Sequence, residues 1–118
     1  MTVDEYFRGK PESRKLFESV RSVLQAFDEV NMRVTKSQVA FYRRKAFAWA
    51  WMPGQYVRGR VSPLVLTLSL PFQDSSPRWK EIVEPRPGRF IHHLELYSPD
   101  NIDDQVREWV WIAWTNAS

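Results

Sequence analysis

Residues 46–51 read Ala46-Phe47-Ala48-Trp49-Ala50-Trp51, and after a twelve-residue connection the chain continues Leu64-Val65-Leu66-Thr67-Leu68-Ser69-Leu70. Both stretches alternate with a period of two, the side-chain period of a β-strand. In the first, the alanines share one side and Phe47, Trp49 and Trp51 the other. In the second, four leucines make a core face opposite Val65, Thr67 and Ser69. Small residues let a helix approach a sheet closely, so the alanine side is a natural partner for a helix and the tryptophans face away from it. The opposite arrangement, tryptophans as core and alanines outward, is equally compatible with the alternation, because large rings are most often buried.

Working outward, β-branched and aromatic residues predict further strands over about Asn31 to Thr35, Gln38 to Tyr42 and Arg89 to Tyr97. Arg43-Arg44-Lys45 is the expected hairpin tip, and Pro53-Gly54 begins a looser connection ending at Pro63. Helix signals flank the strands. Thr2 caps a short turn through Arg8, stopped at Gly9, and Pro11-Glu12 open a longer helix with Leu16, Phe17, Val20, Val23, Leu24 and Phe27 on one stripe. Ser76-Pro77 predicts a short helix through Trp79, Ile82 and Val83 that ends near Pro85. Ser98-Pro99 predicts a C-terminal helix with Ile102, Val106, Trp109, Val110 and Ala113 on one face and Trp111 nearly opposite. The expected architecture is a single α+β domain over residues 1–118: a mostly antiparallel sheet of about five strands, N- and C-terminal helices packed on one face, and the other face free to bind.

Composition narrows the function classes. With 118 residues and no cysteine, the chain can bury its own core, and it has no disulfide, thiolate nucleophile or cysteine-ligated zinc. Met1 to Lys10 lacks the apolar region of a signal peptide, and no apolar run approaches the roughly 18 residues of a spanning helix, so a soluble, cytoplasmic protein without a membrane partner is expected. The net charge of +3 is local in origin: between Asn31 and Arg60 lie Arg33, Lys36, Arg43, Arg44, Lys45, Arg58 and Arg60, with no acid among them. Phe41, Tyr42, Phe47, Trp49, Trp51 and Tyr56 are interleaved with these cations.

That mixture defines the candidate site. Trp49 and Trp51, paired with Phe41 or Tyr42 and rimmed by Lys36, Arg43 and Arg44, would form a stacking platform with phosphate-binding edges. Lys36 and Gln38 share a face if their stretch is extended, and together suit a carboxylate, a phosphate oxygen or a base edge; a solvated turn explains them equally well. His92 and His93 point to opposite faces of their strand. His92 travels with Phe90, Leu94 and Leu96 and reads as a hydrogen-bonded core residue, whereas His93 and Glu95 converge on the other side. No third ligand accompanies them, so neither a metal nor a cofactor is expected. Ser75, Ser76, Arg78 and Lys80 surround a predicted helix start, where an anion could bind or where the serines simply cap.

Three segments, Arg33-Val34-Thr35-Lys36-Ser37-Gln38-Val39-Ala40-Phe41, Ser76-Pro77-Arg78-Trp79-Lys80-Glu81-Ile82-Val83-Glu84-Pro85 and Gly88-Arg89-Phe90-Ile91-His92-His93-Leu94-Glu95-Leu96, together resemble a family of small, mostly bacterial proteins catalogued as a domain of unknown function. Ser37 stands where Thr is more frequent in that family. The family is distantly similar to YdhG-like α+β proteins, which supports the fold and implies no activity, cofactor or catalytic residue.

The leading functional expectation is a binding domain for an anionic small molecule, nucleotide-like in character, or for single-stranded nucleic acid. Its site would comprise Lys36, Gln38, Phe41, Arg43, Arg44, Trp49, Trp51, Lys80, His93 and Glu95. One alternative is a small enzyme with His93 as base, Glu95 orienting it and Lys36 as electrostatic stabiliser. Another is an interaction module, such as a homodimer, using Trp111 and Trp114.

Overall fold

A computed structural model describes residues 1–118. The order of elements is α1 (Val3–Tyr6), α2 (Pro11–Leu24), β1 (Asn31–Val34), β2 (Val39–Tyr42), β3 (Ala46–Trp51), β4 (Leu64–Leu70), β5 (Glu81–Arg86), β6 (Arg89–Leu96) and α3 (Asp104–Asn116), with short 3-10 turns at Pro53–Gln55 and Pro99–Asn101. The strands form one antiparallel sheet of six in the order β1-β2-β3-β4-β6-β5. Strands β1 to β4 are a meander. The chain then skips one position, lays β5 at the edge and returns through Pro87-Gly88 to fill the gap with β6. Gly88 has φ +80°, a conformation that side chains other than glycine rarely adopt, and the Pro-Gly pair suits the centre of a tight turn.

The fold class is the expected α+β, with one strand more than anticipated. The helix predicted after Ser76-Pro77 is the correction: Glu81–Arg86 is the edge strand β5, with Glu81 opposite His93, Ile82 opposite His92 and Val83 opposite Ile91. Only seven residues separate Pro77 from Pro85, too few for a helix with a substantial apolar stripe, and the β-branched Ile82 and Val83 gain more from pairing with β6. Similarly, Ser98-Pro99 starts only the 3-10 turn; Asp103 is the true cap of α3, its carboxylate accepting from Val106 N–H at 3.1 Å.

Helices α2 and α3 cover one face of the sheet. Leu16, Phe17, Val20 and Leu24 of α2, Val106, Trp109, Val110 and Ala113 of α3, and Leu64, Leu66, Leu68 and Leu70 of β4 all belong to one buried cluster. Each fully buried leucine contributes about 1.5–3 kcal/mol relative to an exposed one, so the central strand anchors the fold. Ala48 and Ala50 are buried in this layer, and the small alanine side lies beneath the helices as the sequence suggests. Phe47 does not follow the simple alternation. Phe41 pairs with Ala48 and Tyr42 with Ala46, leaving Phe47 as the extra residue of a β-bulge, and it joins the helix-side core at 1 % exposure. Trp49 and Trp51 remain on the far face, half-buried.

Candidate open-face groove

The face away from the helices carries a row of cross-strand partners running Ala40, Trp49, Thr67, His93, Glu81, beside a second row of Trp51, Val65 and Glu95. The connection between β3 and β4 folds over the end of this face. It is pinned from below by Tyr6, whose hydroxyl donates to Gln55 Oε1 at 2.7 Å and accepts from Met52 N–H at 3.3 Å, and from the side by Tyr56, whose hydroxyl donates to Ser37 O at 2.9 Å. Burial pushes the Tyr6 hydroxyl up to about 12, so it remains a donor at any physiological pH. Gln55 Nε2 donates to Lys36 O at 3.0 Å and closes the clamp.

Two hollows of about 400 Å³ each result, on either side of Trp51. The first is lined by Gln38, Trp49, Thr67, Arg89 and Ile91; the second by Pro53, Val57, Val61, Val65, Lys80, Glu81 and Glu95. Trp51, Tyr56 and His93 line both. Each volume falls in the range of small-molecule sites. The shared wall is rigid. Trp51 Nε1 donates to the Thr67 hydroxyl at 2.8 Å, its ring meets His93 edge-on with centroids 6.0 Å apart, and Tyr56 packs against it at 5.9 Å.

Thr67 also engages His93. Its Oγ1 lies 2.8 Å from His93 Nδ1. Thr67 accepts from the indole with one lone pair, and its hydroxyl and His93 Nδ1 share a hydrogen bond whose direction follows the imidazole tautomer. Burial holds His93 below its ordinary pKa, and Glu81 across the strand pulls only part of the way back. At neutral pH the groove therefore contains a neutral imidazole whose Nε2 makes no hydrogen bond within the protein.

His92, one residue earlier, is the core histidine its neighbours imply. It is fully buried, lies 3.1 Å from Phe90 O through Nδ1, accepts from Asp74 N–H at 3.0 Å through Nε2, and packs edge-on against Trp79.

The structure gathers only some of the residues singled out from the sequence. Gln38, Trp49, Trp51, Lys80, His93 and Glu95 line the two hollows. Lys80 and Glu95 pair with each other at 3.2 Å, and with Glu81 beside them the second hollow carries one acid more than it has cations. Lys36 is exposed in the turn between β1 and β2, so it and Gln38 do not sit side by side on a strand. Thr35 organises that turn: its N–H donates to Gln38 O at 2.9 Å and its hydroxyl accepts from Gln38 N–H at 3.3 Å. Phe41 is 2 % exposed and stacks on Phe17 under α2, away from the tryptophan face. Arg43 is likewise turned to the helix side, with its guanidinium 3.8 Å from the centre of the Trp114 ring and Nη1 donating to Trp114 O at 3.3 Å. Arg44 is exposed, and its backbone N–H donates to Ala117 O at 3.1 Å. The anion site expected at a helix start near Ser76 has no helix, and Arg78 is taken up by Asp103 at 3.0 Å and by Asn101 O at 2.9 Å. Trp114 is held by Arg43, by a stack on Phe27 and by a bond from Nε1 to Asp28 O at 2.9 Å, whereas Trp111 is 51 % exposed.

Thr67, Arg89 and the loop residues Val57 and Val61 were not anticipated as site residues. Thr67 carried a signal, a hydroxyl on the non-leucine side of a central strand, whereas the others depend on how distant segments meet. No group of three or more His, Asp or Glu is arranged to hold a metal ion, and no helix is long and apolar enough to cross a membrane. Comparison with curated proteins and with solved structures finds no match. A family model described as a domain of unknown function, DUF5655, matches residues 3–117, almost the entire chain, and the protein therefore belongs to the DUF5655 family.

Proposed function

We propose that the groove around Trp51 binds a small, anionic, ring-bearing molecule of nucleotide-like size. The observation that carries this reading is the rigid Trp51 wall between two hollows, with His93 and Tyr56 lining both. A clamped indole loses little freedom when a ring packs on it, which favours binding. His93 Nε2, a donor or an acceptor according to its tautomer, and the Gln38 amide offer directional hydrogen bonds to a heterocycle. Arg89 supplies the charge, since it lines the first hollow and has no acidic partner.

A small molecule suits this geometry better than a strand of nucleic acid. A strand needs a continuous basic track, and Arg43 is stacked on Trp114 while Lys80 is paired with Glu95. The enzyme reading with His93 as base is weaker for a related reason. Nδ1 is engaged by Thr67, and Lys36 lies in the β1–β2 turn and lines neither hollow.

The test is a titration of adenosine monophosphate into the protein, followed through the indole N–H resonance of Trp51 in proton–nitrogen spectra. Saturable movement of that resonance, weakened about tenfold in His93→Leu, is the expected result, with matching shifts of the Thr67 and Ile91 backbone amides that are abolished in Trp51→Leu. Spectra unchanged up to millimolar nucleotide would refute the reading. A larger, strongly salt-dependent response to a short oligonucleotide than to the mononucleotide would replace the small molecule by a strand.

A further inference from the structure

At the end of the sheet where β3 begins, β4 ends and β6 begins, a separate cleft of about 340 Å³ is lined by Lys45, Ser69, Arg86, Gly88, Arg89 and Asn116, together with the intervening backbone. Its charge is one-sided. Lys45, Arg86 and Arg89 all contribute, no carboxylate lines the cleft, and none of the three forms an ion pair anywhere in the structure. The closest acid in sequence, Glu84, is turned to the backbone, where it accepts from Gly88 N–H at 3.1 Å. Of the ten other arginines, five are bridged to acids: Arg14, Arg21, Arg43, Arg78 and Arg107.

A second observation is independent of charge. Ser69 is only 9 % exposed, lines the cleft, and its hydroxyl makes no hydrogen bond within the protein. The oxygen itself is open to the cleft and not sealed in the core, so a ligand there can reach it. Here the free donor sits at the floor of a cleft whose rim is cationic.

We propose that this cleft is a phosphate site, in which Arg86 and Arg89 grip phosphoryl oxygens, Lys45 adds charge and the Ser69 hydroxyl donates from below. Guanidinium groups match phosphate geometry through paired N–H donors, and the Pro87-Gly88 turn holds the two arginines directly opposite each other in the β5–β6 register. Arg89 lines both this cleft and the first hollow of the Trp51 groove, so a phosphate held here can belong either to free phosphate or to a nucleotide whose ring lies in the groove. Arg89 and His93 are four positions apart on β6, roughly 13 Å along an extended strand, a span that a mononucleotide can bridge. The end of α3 also borders the cleft through Asn116, and the same cations could serve only to complement the negative end of that helix.

The experiment titrates inorganic phosphate into the intact protein at constant ionic strength maintained with chloride, and follows the backbone amides of Ser69, Gly88 and Asn116. Saturable shifts at these three positions that weaken about tenfold in Arg89→Gln and several-fold in Ser69→Ala, while persisting in Trp51→Leu and in the loop control Arg58→Gln, are expected. Ser69→Ala is the decisive variant, since it changes no charge and removes one oxygen at a tolerant site. Shifts equal in chloride alone, or undiminished in Ser69→Ala, would overturn the proposal, as would stability lost in Lys45→Gln with no phosphate response. Adenosine monophosphate binding more tightly than phosphate, with the excess lost in Trp51→Leu, assigns the cleft to a nucleotide phosphate; equal affinities assign it to free phosphate. Trp51 responding to the nucleotide in Ser69→Ala as in wild type, while inorganic phosphate leaves Gly88 and Asn116 unmoved, would refute the cleft and leave the groove reading standing.

Discussion

His92 and His93 are adjacent in sequence and occupy opposite faces of β6, and the two faces differ in how completely their polar groups are used. On the helix-covered side, both His92 nitrogens have backbone partners, Asp74 carries bonds from Ser76 N–H and Trp79 Nε1, and Trp79 packs on Trp109 with centroids 4.2 Å apart. That layer is saturated and behaves as scaffold. On the open side, Thr67 commits to Trp51 and His93, but His93 Nε2, Arg89 and the Ser69 hydroxyl have no partner in the protein. Folded chains normally satisfy such groups internally or leave them in open water. On the open side these groups line the hollows and the neighbouring cleft, and the proposed binding sites rest on that difference.

The contrast is most directly broken by stability measurements. Leu66→Ala, at 1 % exposure under α2 and α3, is expected to cost about 2–5 kcal/mol in urea unfolding, whereas Trp51→Leu on the open face costs about 1 kcal/mol and chiefly impairs ligand binding. Equal losses would mean that the groove is a second core. The histidines sharpen the same comparison. His92→Leu leaves Asp74 N–H and Phe90 O buried without partners and is expected to cost about 1–3 kcal/mol; His93→Leu costs less, because Thr67 keeps its bond to Trp51.

Acidification gives a smaller effect with a definite sign. Burial lowers the folded-state pKa of both His92 and His93. The unfolded chain then binds more protons just below the ordinary histidine value of about 6.5, so stability is full above that pH and declines as pH falls from there through the folded pKa values. Unfolding free energies at pH 7.5 and 5.5 should show this decline, and His93→Gln should remove part of it. An unchanged decline in His93→Gln would mean that the groove holds His93 in a water-like environment. The smallest expected effect concerns Arg43. Arg43→Glu removes the stack on Trp114 and costs about 1 kcal/mol or less of stability, while the nucleotide response of Trp51 is expected to be unchanged. Loss of that response would return the basic hairpin to the binding site.

Much of the scaffold was legible because it is written in local periods. The leucines of β4, the apolar stripe of α2 and the placement of Trp111 opposite the buried stripe of α3 each follow from a repeat of 2 or 3.6 residues. The alternation of β3 set Trp49 and Trp51 opposite Ala48 and Ala50 but left open which side meets the helices, and the structure puts the alanines there. The same local reasoning failed at Ser76-Pro77, where a good cap signal preceded a strand, and at Phe47, which a bulge rotated into the core. In both places a non-local partner decided: β6 in one case, the registry between β2 and β3 in the other.

By itself, the sequence determined the α+β class and the buried role of His92, since each depends on spacing within one element, and it left both orientations of Trp49 and Trp51 open. Only the tertiary structure decided that Arg43 stacks on Trp114 instead of guarding the groove, that Thr67 bridges Trp51 and His93, and that Lys45, Arg86 and Arg89 meet over Ser69. Those contacts join residues separated by up to tens of positions in the chain. Their formation depends on strand order and turn geometry, which alternation along a single strand does not encode.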